Sequence, residues 1–328
     1  MTRLRWAAAL LACLALAACE TEPPANVGAG KTATIAVPAA RGCELQRFAV
    51  APIAHSPVGW IVPVTVDGTP LRLILDTGAE RSLLTEAVVA RLRLQRDPAH
   101  STRTFGIGGL STTQDARIGS FVVGGTGLPV ASVTVGPFTL PADNQGSPDG
   151  LLGADVLSAF DVDIDAREGV LTLFRARNCP ESGPPWQESY LSLGDIRRAR
   201  DRLMMPIVLD DISGIATFDT GAQRTAVSER IAQRAGVTEA EIAQDRTITA
   251  HGVSAGQVAV HMHRFRLLRI GPLGIQNPLL PVLPIPNGAG DALIGADLFA
   301  GRRIWLSYAS LRVFVTVRRG AQQPVALR

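Results

Sequence analysis

One short core, Asp-Thr-Gly-Ala, occurs twice in this chain, at Asp76–Ala79 and again at Asp219–Ala222. Each copy follows an apolar run, "LRLIL" in the first case and "IATF" in the second. Each is followed two places on by an arginine, Arg81 or Arg224, and then by a hydroxyl residue, Ser82 or Thr225. The aspartates are 143 residues apart (219 − 76 = 143), and the same offset links Pro63 with Pro206, Asp67 with Asp210 and Thr85 with Ser228. Later, "GLLGADVL" recurs as "ALIGADLF", with Gly153 and Gly295 separated by 142 (295 − 153 = 142), so one net residue is lost between the copies. Register kept from Pro63 to Gly153 is an internal repeat. The chain must therefore fold as two versions of one unit.

The pattern within each unit is mostly β. "WIVPVTVDGTPLRLILD" alternates and carries a glycine turn between two runs, which is a hairpin signal. "FVVGGTGLPVASVTVG" and "FDVDIDAREGVLTLF" read the same way, and "QVAVHMHRFRLLRIG" and "RRIWLSYASLRVFVTV" echo them in the second half. A short helix is expected after each Asp-Thr-Gly, in "TEAVVARLRL" and "SERIAQRAGV", where a hydroxyl residue precedes an acidic first turn. One more helical turn is expected in each of "GADVLSAF" and "GADLFAGR". The fold class is mainly β, with two homologous β-barrel lobes in one chain. With 328 residues, of which 46% are hydrophobic and 19% charged, there is enough chain for both cores. The expected boundaries are a signal segment over 1–18, a tether over 19–45, a first lobe over 46–178, a linker over 179–203 and a second lobe over 204–320.

The N-terminus points out of the cytoplasm. "MTRLRW" is a short basic start, and "AAALLACLALAA" is too short for a comfortable membrane span. It ends in Leu16-Ala17-Ala18-Cys19, which resembles a bacterial lipobox and implies cleavage before Cys19 and a lipid on its sulfur. The alternative is a plain secretory signal cut nearby. Either way the mature protein is expected in the cell envelope on the periplasmic side, held to the membrane if Cys19 is lipidated. Cys43 and Cys179 then remain as a pair in an oxidising space and are expected to form a disulfide. The formal net charge is +3, and removing Arg3 and Arg5 with the signal leaves +1. That gives no electrostatic case for a nucleic-acid partner.

A single aspartate on a glycine turn is usually an N-cap or a turn former. Two copies in two homologous lobes change the weighing, because a pseudo-two-fold axis can bring the turns together. Two carboxylates a few ångström apart cannot both ionise, so such a pair shares one proton. A protonated acid and an ionised base then flank one water, which suits hydration of an amide carbonyl.

On these residues the sequence resembles the retropepsin-like aspartic proteases, and more closely their bacterial exported members with both lobes in one chain. The apolar-Asp-Thr-Gly-Ala-x-x-Ser/Thr motif is matched at Asp76–Ser82 and Asp219–Thr225. The later apolar-apolar-Gly motif is matched at Leu151-Leu152-Gly153 and Leu293-Ile294-Gly295. The resemblance implies a catalytic dyad of Asp76 and Asp219. It implies turn support from Thr77, Gly78, Ala79, Thr220, Gly221 and Ala222, with the two threonine hydroxyls locking the turns. It also implies a flap hairpin over each lobe, at Gly106, Ile107, Gly108 and Gly109 and at Gly252 and Val253. A peptide or protein substrate, no metal, no organic cofactor and a catalytically complete monomer are expected. Where many viral members have Arg-Asn after the second glycine, this chain has Ala-Asp twice, at Asp155 and Asp297. Two arrangements are open there: ion pairs of Asp155 with Arg81 and of Asp297 with Arg224, or separate surface charges. A non-catalytic peptide-binding or scaffolding protein of the envelope using the same cleft is the second functional reading.

Other motifs carry less. "GAGKT" at Gly28–Thr32 lacks the glycine that a phosphate loop needs at position 25, which is Ala25. "GVSAG" at Gly252–Gly256 resembles a serine-hydrolase elbow, but "QVAVHMHRF" after it reads as a strand where a helix is required. His261 and His263 share one strand face, with no further ligand cluster to make a metal site. Glu80 and Gln223 flank the dyad motif and are read as substrate contacts or as exposed.

Overall fold

The computed structural model describes residues 27–29, 43–106, 109–136, 140–179, 183–251 and 257–317. The signal segment 1–18, Cys19 and most of the tether lie outside them. Among the described residues the strands form sheets of ten, eleven and six strands. The chain is mainly β, as two lobes built on the same repeat.

Each lobe contains the same hairpin. Strand Gly59–Val66 turns back into Thr69–Leu75, and Arg202–Leu209 turns back into Ile212–Phe218. The burial sequence along the four strands is the same in both lobes, down to the exposed proline at Pro63 and Pro206. Both two-residue turns have left-handed backbone, with φ of 47° and 79° at Asp67 and Gly68 and of 45° and 73° at Asp210 and Asp211. Such turns match the twist of the flanking strands. The repeated aspartate has a second task here. Asp67 Oδ1 accepts from the N–H of Gly119 and Ser120 at 2.8 and 2.7 Å, and Asp210 Oδ1 accepts from Leu267 N–H at 2.7 Å.

The apolar-apolar-Gly segments thread the lobes. Gly150–Leu152 lies between Thr69–Leu75, to which it is parallel, and Leu83–Thr85, to which it is antiparallel. Ala292–Ile294 does the same between Ile212–Phe218 and Ala226–Ser228. A side chain at Gly150 would put its Cβ 2.0 Å from the Leu83 carbonyl oxygen, so only glycine fits that crossing. Asp76 N–H and Asp219 N–H each donate at 3.0 Å to the last carbonyl of the threaded strand, that of Leu152 or Ile294. Both aspartates are thus fixed where a buried strand ends.

Helices Glu86–Leu92 and Glu229–Arg234 follow as expected. Ser228 caps the second through Ile231 N–H, whereas Thr85 makes no side-chain cap bond. Ala154–Leu157 is a single α-turn and Ala296–Phe299 a 3₁₀ turn. A further helix, Glu239–Gln244, was not anticipated; a capping box between Thr238 and Glu241 starts it.

The lobes are joined by the six-stranded sheet. Its order is Tyr190–Asp195, Arg312–Thr316, Arg303–Ser307, Asp161–Asp165, Val170–Arg177 and Glu44–Pro52. The seam is the antiparallel pairing of Asp161–Asp165 with Arg303–Ser307, one strand from each lobe. Beneath it Phe174, Trp186, Tyr190, Trp305 and Phe314 form one buried aromatic cluster. The segment 179–203 connects the lobes, but it is no loose linker. Trp186 and Tyr190 are drawn into that cluster, and Tyr190–Asp195 becomes an edge strand. The Pro, Gly and Ser residues around them hid this from the sequence pattern. Cys43 and Cys179 sit at the paired ends of Glu44–Pro52 and Val170–Arg177, with their sulfurs bonded and a Cα–Cα distance of 4.6 Å.

Candidate active site

The two Asp-Thr-Gly turns meet at the lobe interface. Thr77 N–H donates to Thr220 Oγ1 at 3.0 Å, and Thr220 N–H donates to Thr77 Oγ1 at 3.1 Å. Each hydroxyl then donates to a carbonyl of the other lobe, Thr77 to Phe218 and Thr220 to Leu75, both at 2.7 Å. Each Oγ1 accepts one bond and gives one, so both fully buried hydroxyls are satisfied. Four hydrogen bonds fix the turns relative to each other.

Above this lock the carboxylates converge. Asp76 Oδ1 accepts from Gly78 N–H at 3.0 Å and Ala79 N–H at 2.8 Å. Asp219 Oδ1 accepts from Gly221 N–H at 2.9 Å and Ala222 N–H at 3.0 Å. A Cβ at Gly78 would fall 2.3 Å from Asp219 Cγ, and one at Gly221 would fall 2.4 Å from Asp76 Cγ. Each acid therefore lies against the opposite turn, in space that only glycine leaves free. Burial pushes Asp76 well above the usual carboxylate range, and the charge on Asp219 pushes it further. Burial also raises Asp219, but four influences hold it back: the Ala222 and Gly221 amides, a hydrogen bond from Asp76 and the positive charge of Arg202. Both acids are thus raised, and they titrate as one coupled pair.

Below the turns, Asp155 Oδ1 accepts from Ser82 N–H at 2.8 Å and Ser82 Oγ at 2.7 Å. Asp297 Oδ1 accepts from Thr225 N–H and Thr225 Oγ1, both at 2.8 Å. The same hydroxyls accept from Gly153 N–H at 2.9 Å and Gly295 N–H at 3.0 Å. Of the two arrangements left open for these aspartates, the ion pair is present in the first lobe. Arg81 does reach Asp155, at 3.6 Å, but its shorter contact is Asp115 at 3.1 Å. Among the described residues Arg224 forms no ion pair with Asp297; burial raises that acid, and the Thr225 hydrogen bonds and the Arg224 charge oppose it. The Ser/Thr of the motif and the Asp after each glycine are partners, and their equal spacing in both lobes was the signal for it.

The dyad lines a cleft of about 580 Å³ together with Gly78, Ala79, Thr217 and Leu293. Glu80 is in its wall and pairs with Arg202 at 2.8 Å, an arginine that sequence reasoning passed over. Gln223 lies close to Gly59, and its Nε2 is buried with no hydrogen-bond partner among the described residues. The hairpins Arg96–Gly106/Gly109–Arg117 and Arg246–His251/Gln257–Arg264 stand at the expected flap positions. Gly106 pairs with Gly109 at the last described rung. Ile107, Gly108, Gly252 and Val253 lie outside the described residues. The hydrolase-like "GVSAG" is followed by a strand, not a helix. His263 is held by Asp245 at 2.7 Å and packs edge-on to Phe265.

A family model described as "Aspartyl protease" matches residues 62–156 and again 205–298. These two stretches hold both Asp-Thr-Gly turns and both threaded strands, and the chain belongs to that family. Among solved structures the chain is similar to the aspartic proteinase from Irpex lacteus, at 12% identity and a TM-score of 0.44, over 85% of this chain and 99% of that one. A search of curated proteins gave no match.

Proposed function

We propose that this protein is an aspartic endopeptidase whose Asp76 and Asp219 activate one water between them. The observation that carries the reading is that each carboxylate is buried against the other lobe's turn glycine, where burial raises both acids. In this mechanism the ionised Asp219 takes a proton from water as the oxygen attacks the peptide carbonyl carbon. Asp76 gives its proton to the carbonyl oxygen, forming a neutral gem-diol. Collapse of that intermediate breaks the C–N bond, and the proton held by Asp219 goes to the leaving amine. Asp76 recovers its own proton from the gem-diol hydroxyl, which returns the dyad to its starting state. An extended peptide is bound by strand addition beneath the two hairpins.

The lipobox-like Leu16–Cys19 supports an exported protein anchored on the periplasmic side through Cys19, without a nucleic-acid partner. Presence of both acids in one chain supports a monomer. Cleavage of a mixed peptide library by wild type, with Asp76→Asn and Asp219→Asn as controls, tests the activity. Each single variant is expected to lose nearly all turnover and the double variant little more, because groups acting as a unit are non-additive. Peptide binding without cleavage by wild type would turn the reading to a scaffold.

A further inference from the structure

We infer that the cleft selects peptides carrying a carboxylate side chain near the scissile bond; this rests on the peptidase reading above and names its substrate class. The repeat is broken beside the dyad. Subtracting the 143-residue offset from Arg202 gives position 59, which is Gly59, and from Gln223 gives position 80, which is Glu80. The two sites are related in space as well. Glu80 of the first turn meets Arg202 at the start of its strand in the second lobe. Gln223 of the second turn meets Gly59 at the start of the equivalent strand in the first. One side of the dyad is thus ionic and the other uncharged, although both lobes make the same turn. The fold does not require the charge.

The charge is also in excess. Arg202 is buried, with Nη2 held by Glu80 and by the Gly288 carbonyl at 2.9 Å. Its Nε is buried with no partner among the described residues. Arg200 reaches the same Glu80 only at 3.7 Å and leaves 83% of its side chain exposed. Arg103 lines the cleft, is exposed and forms no ion pair among the described residues. Arg81 is taken by Asp115 and Asp155. Three arginines therefore face one glutamate and a dyad whose two acids burial raises. Such a wall attracts an acidic side chain and repels a basic one. The planar guanidinium fork suits a carboxylate.

The test uses labelled octapeptides that differ only in Glu, Gln or Lys at one position, moved step by step along the sequence. Binding is read by fluorescence anisotropy on the Asp76→Asn protein at low and at 1 M salt. At one or two positions Glu should bind about fivefold or more tighter than Gln, with Lys weakest, and the preference should shrink at high salt. It should vanish in Asp76→Asn carrying Arg103→Gln and Arg200→Gln, both exposed and expected to fold. Equal binding of the three peptides, no binding of any, or a preference indifferent to the arginines would overturn the inference. Because the protein used cannot cleave, failure of wild type to cut peptides would overturn the peptidase reading separately.

Discussion

Arg303 grips Asp163 across the seam between the lobes, with Nε 2.9 Å from one carboxylate oxygen and Nη2 2.6 Å from the other. Trp186 Nε1 donates to the same carboxylate at 3.3 Å, and the Arg303 guanidinium lies 5.1 Å from the Trp186 ring centre. One residue comes from each lobe and the third from the connecting segment. The carboxylate is almost wholly buried, and burial raises it above the usual range while the arginine opposes that.

Arg303→Met leaves that acid buried without its partner. Unfolding free energy at pH 7 should drop by about 3 kcal/mol. A raised native value means that the native state holds its proton longer than the unfolded chain does, so stability falls as pH rises from the unfolded value through the native one. The variant should therefore recover part of its loss at pH 4. Urea melts at the two pH values check this, and an equal loss at both would mean that the acid's charge is not the cause.

The dyad makes a linked prediction of its own. Asp76 and Asp219 are both raised, so ionising the pair costs stability above the ordinary carboxylate range and costs nothing below it. Asp76→Asn should remove this cost. Its melting temperature should exceed that of wild type, by a margin that grows between pH 4 and pH 7. A margin independent of pH would show that the two acids do not share a proton.

Gly78→Ala keeps both acids yet places a methyl where Asp219 lies. The carboxylate must move, and displacement of about 1 Å at a reacting group costs about 100-fold in rate. Turnover should fall by at least that much, with the fold retained by circular dichroism. Near-normal activity would place the reacting geometry elsewhere.

Replacing both Cys43 and Cys179 by serine frees a loop that spans 136 residues in sequence. In the chain-entropy account this costs about 4–5 kcal/mol, with measured values often lower. Denaturant melts give the magnitude, and thiol titration of the unfolded, unreduced parent should find neither cysteine free.

The repeat, the two-lobed β architecture and the paired aspartates were legible because one spacing recurs and because Asp-Thr-Gly combines a strand end with a glycine that admits the opposite acid. Arg202 was not legible. It sits at the start of an alternating strand, where an arginine reads as an exposed end, and only the comparison with Gly59 shows that it is out of place. The strand at Tyr190–Asp195 was missed because its burial comes from aromatic partners more than a hundred residues later, Trp305 and Phe314. The hydroxyl partners of Asp155 and Asp297 were missed because Ser82 and Thr225 lie 73 and 72 residues from them in sequence, and only the fold brings them together. Helix Glu239–Gln244 has no fully buried residue and packs on the core through half-buried Ile242 alone among its apolar side chains, so no apolar period announced it.

The seam pairing of Asp161–Asp165 with Arg303–Ser307 has a kinetic consequence. A site made from two separate chains disappears on dilution, since half-sites must first find each other, and its rate then rises faster than linearly with protein added. Here the halves are neighbours in one sheet and one chain, so their effective concentration is fixed by geometry. Turnover per molecule should stay the same at any dilution.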